Sequence, residues 1–354
     1  MNDAQIPYYS DYLELGKILD SQHPKSFEPG KNRADDEMLF IIVHQAYELW
    51  FNLIIFEVDL IIQVLVKPEI NDDSPDMNNV VRKLKRIVRI LELLNQQVEV
   101  LETMTPLDFL AFRSSLIPAS GFQSVQFRII EAKLGLKIGQ RHKESRESEY
   151  YKHTRRGGFS ESDLKKINDA EKSDTLRDLV IRWLERMPFF NDEYWYSYQG
   201  TNKPNIEDKH KFWADYEDIY FNSLSEDDSD KSKEFSEVFV AKGLGEFSAK
   251  AMRAVLFIML YRDWPIFRQP FELLSALVEI DELLSTWRYR HFMMVRRMIG
   301  TRAGTASTSG ADYLEKTLDQ YIFKELTIVT TFVIERNKLP ELPEELRNRI
   351  GFGS

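Results

Sequence analysis

The sequence of 354 residues contains no cysteine. Without thiols the chain forms no disulfide, no thiolate zinc site and no iron–sulfur cluster, and it has no cysteine nucleophile. Any metal must therefore be bound by histidine or by carboxylates.

The sequence also lacks an excess of basic residues and any long apolar run. Its 47 Lys and Arg residues stand against 57 Asp and Glu residues, which gives a net charge of -10 and argues against a nucleic-acid surface. No run reaches the roughly 18 uncharged apolar residues of a membrane span, and the first residues lack the pattern of a leader. We expect a cytoplasmic protein with no nucleic-acid or membrane partner.

Strand-like alternation is absent over any useful length, whereas helical apolar periodicity recurs throughout. Together with 43% hydrophobic residues, this predicts an all-α fold, a bundle of long helices in one domain over residues 1–354. The polar residues 137–245 are predicted to form a variable helical and loop elaboration within it. The main predicted helices are Ser10–Gln22, Met38–Val66 (central and enclosed), Asp76–Thr103, Leu107–Leu116, Phe122–Leu136, Thr175–Met187, Phe247–Tyr261 and Phe271–Ile299, with Leu224–Lys233 predicted as a loop.

Two of the six histidines, His44 and His291, lie in strongly apolar helices. His291 shares a helix face with Trp287 and Met294, because residues three and four apart stack on one side. A neutral imidazole in such surroundings suits an axial ligand of haem iron, with the sixth position open for O2. A core histidine bonded to a backbone carbonyl is the alternative.

Other metal and cofactor classes lack their residues. A carboxylate-bridged di-iron bundle needs two Glu-x-x-His pairs, and the chain has one, Glu207 to His210. It also lacks a His-Glu-x-x-His pair, a Gly-x-Ser-x-Gly elbow, a P-loop and a dinucleotide fingerprint. Haem remains because it needs one ligand and many apolar neighbours.

Two further features indicate ligand binding. Arg113 lies between aromatic rings in D-F-L-A-F-R, where an arginine can bind a carboxylate in a bidentate manner, unless it forms an internal salt bridge. The loop from Gly304 to Gly310, rich in Thr, Ser and Ala, could close over a ligand or serve as a plain linker.

Six ordered motifs resemble the tryptophan 2,3-dioxygenase family, whose members open the indole ring of L-tryptophan with O2 to give N-formyl-L-kynurenine. They span nearly the whole chain, with the poorest agreement in residues 137–245. The motifs are Y-x-D-Y-L-E-L (Tyr9–Leu15), D-E-M-L-F-I-I-V-H-Q-A-Y-E-L-W-F (Asp36–Phe51), L-E-T-M-T-P-L-D-F-L-A-F-R (Leu101–Arg113), P-A-S-G-F-Q-S-V-Q-F-R (Pro118–Arg128), W-R-Y-R-H (Trp287–His291) and R-A-G-T-A-S-T-S-G (Arg302–Gly310).

The resemblance implies haem b as the cofactor, O2 as the co-substrate and a homotetramer built as a dimer of dimers. It implies that His291 is the axial haem ligand, that Arg113 pairs with the substrate carboxylate and that Thr305 binds the substrate ammonium. It also implies that three apolar residues line the indole pocket: Phe109, Phe40 and Leu39. Two tyrosines are implied to reach a neighbouring subunit's pocket: Tyr9 and Tyr12.

The motifs also show departures from the family pattern. Asp35 stands where we expect the family's indole-contacting histidine, immediately before D-E-M-L-F, and Ala306 and Ser307 replace loop glycines. A carboxylate at this place would accept the indole N–H bond or take up a proton. The alternatives are therefore a relative that oxidises a modified indole and a haem or tryptophan sensor without turnover.

Overall fold

A computed structural model describes residues 8–68, 74–119, 121–136, 159–200, 210–228, 230–300, 302, 314–315 and 317–350. The all-α prediction is confirmed, since the described ranges contain no strand and only an isolated bridge between Leu244 and Phe247. The α-helices are α1 (Tyr9–Tyr12), α2 (Leu15–Leu19), α3 (Asp36–Leu65), α4 (Pro75–Leu101), α5 (Pro106–Leu116), α6 (Val125–Leu134), α7 (Glu161–Lys172), α8 (Leu176–Glu185), α9 (Lys211–Ser223), α10 (Lys231–Ser236), α11 (Ala249–Leu260), α12 (Pro265–Ile299), α13 (Lys324–Ile328) and α14 (Glu344–Ile350).

Short helical turns connect these elements. A π-helical turn at Glu237–Ala241 continues α10. The 3₁₀ turns are Lys25–Phe27, Gly121–Gln123, Pro188–Phe190, Asp192–Tyr194, Glu226–Asp228, Val329–Phe332 and Arg336–Lys338.

The centre of the fold is helix α4, which packs against α3 on one side and α12 on the other. Its apolar face is fully buried at positions such as Leu84 and Ile87. A polar link fixes the register of α4 and α12, because the buried Asn95 amide donates to the Leu91 and Leu283 carbonyls. The three long helices thus form a rigid frame around the space between α3 and α12.

Sequence signals explain where the helices begin. Ser74 accepts from the Met77 amide before Pro75, and Thr105 and Asp108 form a capping box before α5. Pro75 and Pro106 are the first residues of their helices, where no intrahelical N–H is required.

Three predicted elements differ in the structure. The predicted helix over Ser10–Gln22 is divided, because Glu14 has a left-handed φ of 49° between α1 and α2. Helix α3 is not enclosed by its own chain, since Ile42, Leu49 and Phe56 are about half exposed. The predicted loop Leu224–Lys233 contains a 3₁₀ turn and the start of α10.

The described part of residues 137–245 joins the main core instead of forming a separate one. Aromatic side chains of α9 and α10 carry this packing, and Phe212, Tyr216 and Phe235 are completely buried. Their rings contact one another and α11, with Phe212 and Phe257 centroids 5.4 Å apart. This region therefore contributes to the support of the bundle.

Within the described ranges, no helix has the length and apolarity to cross a membrane.

Candidate active site

A cavity of about 370 Å³ lies between α3, α12 and the connection from α5 to α6. Most of its wall is apolar, which excludes water from any bound group and strengthens polar interactions inside it. The polar lining groups include two imidazoles, the Glu48 carboxylate and the Arg128 guanidinium. The aromatic and sulfur-bearing lining side chains are Phe40, Tyr47, Phe51, Phe127, Trp287 and Met294.

His291 reaches this cavity from α12, on the same helix face as Trp287 and Met294. The His291 and Trp287 rings lie 5.1 Å apart, and Nδ1 of His291 is buried without a hydrogen-bond partner among the described residues. Burial, with a smaller effect of the nearby His44, lowers the pKa of His291 to about 4. The imidazole is therefore neutral at pH 7, the state required of a metal ligand.

His44 lines the same cavity from α3 and is the site residue that sequence reasoning missed. Its Nδ1 lies 2.7 Å from the Phe40 carbonyl oxygen. Because a carbonyl only accepts, Nδ1 carries the proton of this bond. Burial lowers the pKa of His44 against the opposing effects of Phe40 and Glu48. Nε2 of the neutral ring is therefore a hydrogen-bond acceptor in an apolar cavity.

The structure does not bring Asp35 to the cavity. Its side chain is 81% exposed and pairs with Arg33, with Oδ1 and Nε 2.7 Å apart. Asp35 precedes the first turn of α3, and its side chain does not cap that helix. The expectation that Asp35 takes the place of an indole-contacting histidine is therefore corrected: the described chain presents His44 instead.

Of the apolar residues expected around an indole, Phe40 is among the cavity-lining residues, whereas Leu39 and Phe109 are not. The rings of Phe109 and Phe112 lie 6.0 and 5.6 Å from the Phe40 ring. Leu39 and Phe109 are partly buried against the core. Arg113 follows Phe112 on α5 and is half-buried. Arg113 therefore follows this aromatic group on α5, but it is not among the cavity-lining residues.

Two expected site residues, both tyrosines, lie apart from this group. Tyr9 and Tyr12 on α1 are 71% and 75% exposed, so within one chain they contact solvent instead of the cavity. Thr305, with the neighbouring Ala306 and Ser307, lies outside the described residues.

A multi-ligand metal centre finds no support in the described ranges. No group of three or more histidine, aspartate or glutamate side chains is close enough to bind a metal ion there. The fold and site therefore define an all-α protein whose apolar cavity presents neutral imidazoles from two long helices.

Comparison with known proteins identifies the family. The tryptophan 2,3-dioxygenase family model matches residues 2–333. The chain is 43% identical to a protein of Bdellovibrio bacteriovorus named tryptophan 2,3-dioxygenase, over 98% of each chain. Proteins of the same name from Dictyostelium discoideum and Anopheles gambiae are each 40% identical, over 98% and 97% of this chain and 88% and 89% of their own lengths.

The chain belongs to the tryptophan 2,3-dioxygenase family. It is accordingly a dioxygenase, an enzyme of the oxidoreductase class.

Proposed function

We propose that this enzyme opens the indole ring of L-tryptophan with O2 to give N-formyl-L-kynurenine, with haem b in the cavity. The observation that carries the proposal is His291, a buried neutral imidazole that lines an apolar cavity. The relatives' names supply the substrate.

The lining residues fit a porphyrin. Trp287 and Met294 lie on the face of α12 that carries His291, and Phe51 and Phe127 add apolar surface. His291 would hold the haem iron through a ring nitrogen, and because the imidazole is already neutral no deprotonation would be required. Haem, when bound, supplies the iron that binds and activates O2.

The chain's own residues would bind and orient the amino acid. Nε2 of His44 would accept the indole N–H, since its Nδ1 already donates to the Phe40 carbonyl. Phe40, Phe109 and Leu39 would contact the indole rings. Arg113 would pair with the carboxylate, which fixes the indole relative to the oxygen-binding side of the pocket.

Two further assignments come from the resemblance. Thr305 would bind the substrate ammonium, and Tyr9 and Tyr12 would complete a neighbouring subunit's pocket. The exposure of both tyrosines in the single chain supports the second assignment. An exposed apolar row on α3, formed by Ile42, Leu49 and Phe56, supports assembly into a homotetramer. The cytoplasm remains the expected location.

One reason for the alternative of a modified indole was a carboxylate from Asp35 at the indole N–H. The Asp35 side chain is exposed and pairs with Arg33, and His44 lines the cavity. We therefore favour L-tryptophan as the substrate.

The decisive experiment is turnover by the haem-reconstituted protein. Ferrous enzyme mixed with L-tryptophan and air should consume O2 and form N-formylkynurenine, followed by absorbance and mass spectrometry. His291→Ala should lose the Soret band of bound haem, whereas His210→Ala, a histidine outside the cavity, should retain it. A tryptophan-induced Soret shift without oxygen consumption would identify a sensor, and a different oxygenated product would identify another substrate class.

A further inference from the structure

A buried ionic triad borders the cavity and joins two of its helices. Glu131 on α6 accepts from Nη1 of Arg128 at 2.9 Å and from Nη2 of Arg288 at 3.1 Å. All three side chains are nearly inaccessible, with exposures of 2% for Glu131, 7% for Arg128 and 2% for Arg288. Arg128 also lines the cavity. One carboxylate thus connects a cavity-lining guanidinium to the helix that carries His291.

The second arginine of the triad is held from the other side as well. Nη1 of Arg288 donates to the Gln320 carbonyl at 2.6 Å. Because a guanidinium is planar and bonds in fixed directions, two partners leave Arg288 little rotational freedom. Arg288 therefore holds Glu131 in place, and Glu131 in turn restricts Arg128.

Burying such an ionic triad costs stability, so we expect its position to serve a role. Buried charges require desolvation, and an apolar replacement of a buried ionic triad often stabilises a protein. At a ligand cavity, however, a guanidinium that a carboxylate already holds in place loses little conformational freedom when it binds an anion.

We propose that Glu131 is a positioning residue. It fixes the Arg128 guanidinium at the wall of the cavity that His291 also lines, where Arg128 would bind a ligand carboxylate. The inference rests on the proposed function, because two carboxylates can reach this cavity: a propionate of haem and the carboxylate of the amino acid. The experiment separates the two.

The chain provides a control in Glu57 on α3, where one of the two cations, Arg86, is half exposed. This carboxylate is also buried, with its side chain 2% exposed, and it also pairs with two cations, Lys83 and Arg86. Neither Lys83 nor Arg86 lines the cavity. Glu57→Gln therefore reports the general effect of neutralising a buried carboxylate between two cations.

The test compares Glu131→Gln, Glu57→Gln and the unsubstituted holoenzyme. Haem loss to excess apomyoglobin is measured for haem and for haem dimethyl ester, and KM and kcat are measured for L-tryptophan. If Arg128 binds a propionate, Glu131→Gln should accelerate loss of haem about 10- to 100-fold but leave loss of the dimethyl ester unchanged. If it binds the amino acid, KM should rise by a similar factor with kcat and haem loss unchanged.

Either result supports the positioning role. The proposal is overturned if Glu131→Gln changes haem loss and KM no more than Glu57→Gln does. It is also overturned if haem and its dimethyl ester are lost equally faster while KM stays constant, because this pattern reflects general loosening.

A second variant keeps the test decisive if Glu131→Gln does not fold. Glu131→Gln combined with Arg288→Met removes one cation together with the carboxylate and still releases Arg128, so the same outcomes apply. Haem loss requires no turnover. A failure of the proposed reaction therefore leaves this measurement intact, and unchanged haem loss and KM in an active enzyme reject only the role of Glu131.

Discussion

At the scale of single residues, the hydrogen bond of His44 to the Phe40 carbonyl determines what its ring can do. With Nδ1 protonated, Nε2 is an acceptor in an apolar cavity. His44→Leu leaves the indole N–H of a bound substrate without this partner, and an unmade bond of this kind costs about 1 to 3 kcal/mol. We expect kcat/KM for L-tryptophan to fall accordingly while the Soret band of bound haem persists.

Asp35→Ala is the control for this prediction. The Asp35 side chain is exposed and pairs only with Arg33 in the described structure, so kcat/KM should remain unchanged. A loss of activity in Asp35→Ala together with normal activity in His44→Leu would return the indole contact to Asp35.

The difference between these two residues shows what the sequence could and could not predict. His291 was identifiable from its helix face. His44 was also recognisable as a histidine in an apolar helix, and the cavity-lining residues Phe40, His44, Tyr47 and Phe51 follow the three- and four-residue spacing of one face. The motif comparison selected Asp35 from its position next to D-E-M-L-F. The position on α3 distinguishes the two residues. His44 lies on the helix face that lines the cavity, whereas Asp35 precedes the first turn of the helix.

Arg113 provides a second prediction at this scale. A half-buried guanidinium beside Phe112 is expected to bind the substrate carboxylate, and its removal should weaken substrate binding by about 2 to 4 kcal/mol. Arg113→Ala should therefore raise KM, and Arg113→Lys should recover only part of the loss because lysine cannot bind in bidentate fashion. Arg82→Ala, at an exposed arginine of α4, is the control. An unaltered KM in Arg113→Ala would contradict the assignment.

At the scale of elements, α5 is a short helix that carries Phe109, Phe112 and Arg113. Its start depends on a capping box, in which the Thr105 hydroxyl accepts from the Asp108 amide and the Asp108 carboxylate accepts from the Thr105 amide. Thr105→Ala should lower the free energy of unfolding by about 1 kcal/mol. It should also raise KM for L-tryptophan, because the frayed helix positions Arg113 less well.

The same capping box occurs in α8, between Thr175 and Asp178, away from the cavity. Thr175→Ala should lower the free energy of unfolding by denaturant at least as much, because Thr175 is buried, but leave KM unchanged. Thr105→Ser, which retains a hydroxyl, should restore both quantities at α5. Equal KM values in Thr105→Ala and Thr175→Ala would contradict a role of α5 in substrate binding.

The helices themselves were largely predictable, whereas their interruptions were not. Apolar periodicity and caps placed α3, α4 and α11 to within a few residues. The apolar pattern predicted α12 from Phe271 to Ile299. In the structure the helix begins at Pro265 and accepts Pro270 in its interior. The cost is limited to the bond to the Ile266 carbonyl, and Pro270 is buried in the core. Such packing gains depend on partners that a sequence pattern does not specify.

At the scale of the whole molecule, buried neutral histidines make stability depend on pH. His210 packs against Trp195, with ring centroids 4.7 Å apart, and burial lowers its pKa to about 4. Below its ordinary pKa near 6.5, the unfolded chain binds a proton that the folded chain does not, so stability falls as pH decreases toward 4. Above pH 6.5 both states are neutral and His210 has no effect.

The contribution of His210 to the slope of unfolding free energy against pH is at most about 1.4 kcal/mol per pH unit. It is smaller here because the ring is partly exposed. His210→Phe should reduce the fall in urea-unfolding free energy of the haem-free protein between about pH 6.5 and pH 5. His23→Gln, at an exposed histidine, is the control. Parallel pH profiles for His210→Phe and the unsubstituted protein would show that His210 is not held neutral.

Assembly is the last property at this scale, and it follows from the exposed row Ile42, Leu49 and Phe56 on α3. These residues are 49%, 58% and 58% exposed, and their seven-residue spacing places them along one side of the helix. An exposed apolar row on a long helix of a single chain indicates that another surface covers it. In the proposed homotetramer a second copy would do so.

Leu49→Glu places a charge in the middle of this row, where burial against another copy would require desolvation. We expect light scattering to give four times the 41.7 kDa chain mass for the unsubstituted protein and a smaller species for Leu49→Glu. Tyr196→Glu, at an isolated residue that is 77% exposed, should leave the mass unchanged. If Tyr9 and Tyr12 complete a neighbour's pocket, the dissociated Leu49→Glu enzyme should also have a higher KM for L-tryptophan. Retention of the full tetramer mass by Leu49→Glu would exclude this row from the interface.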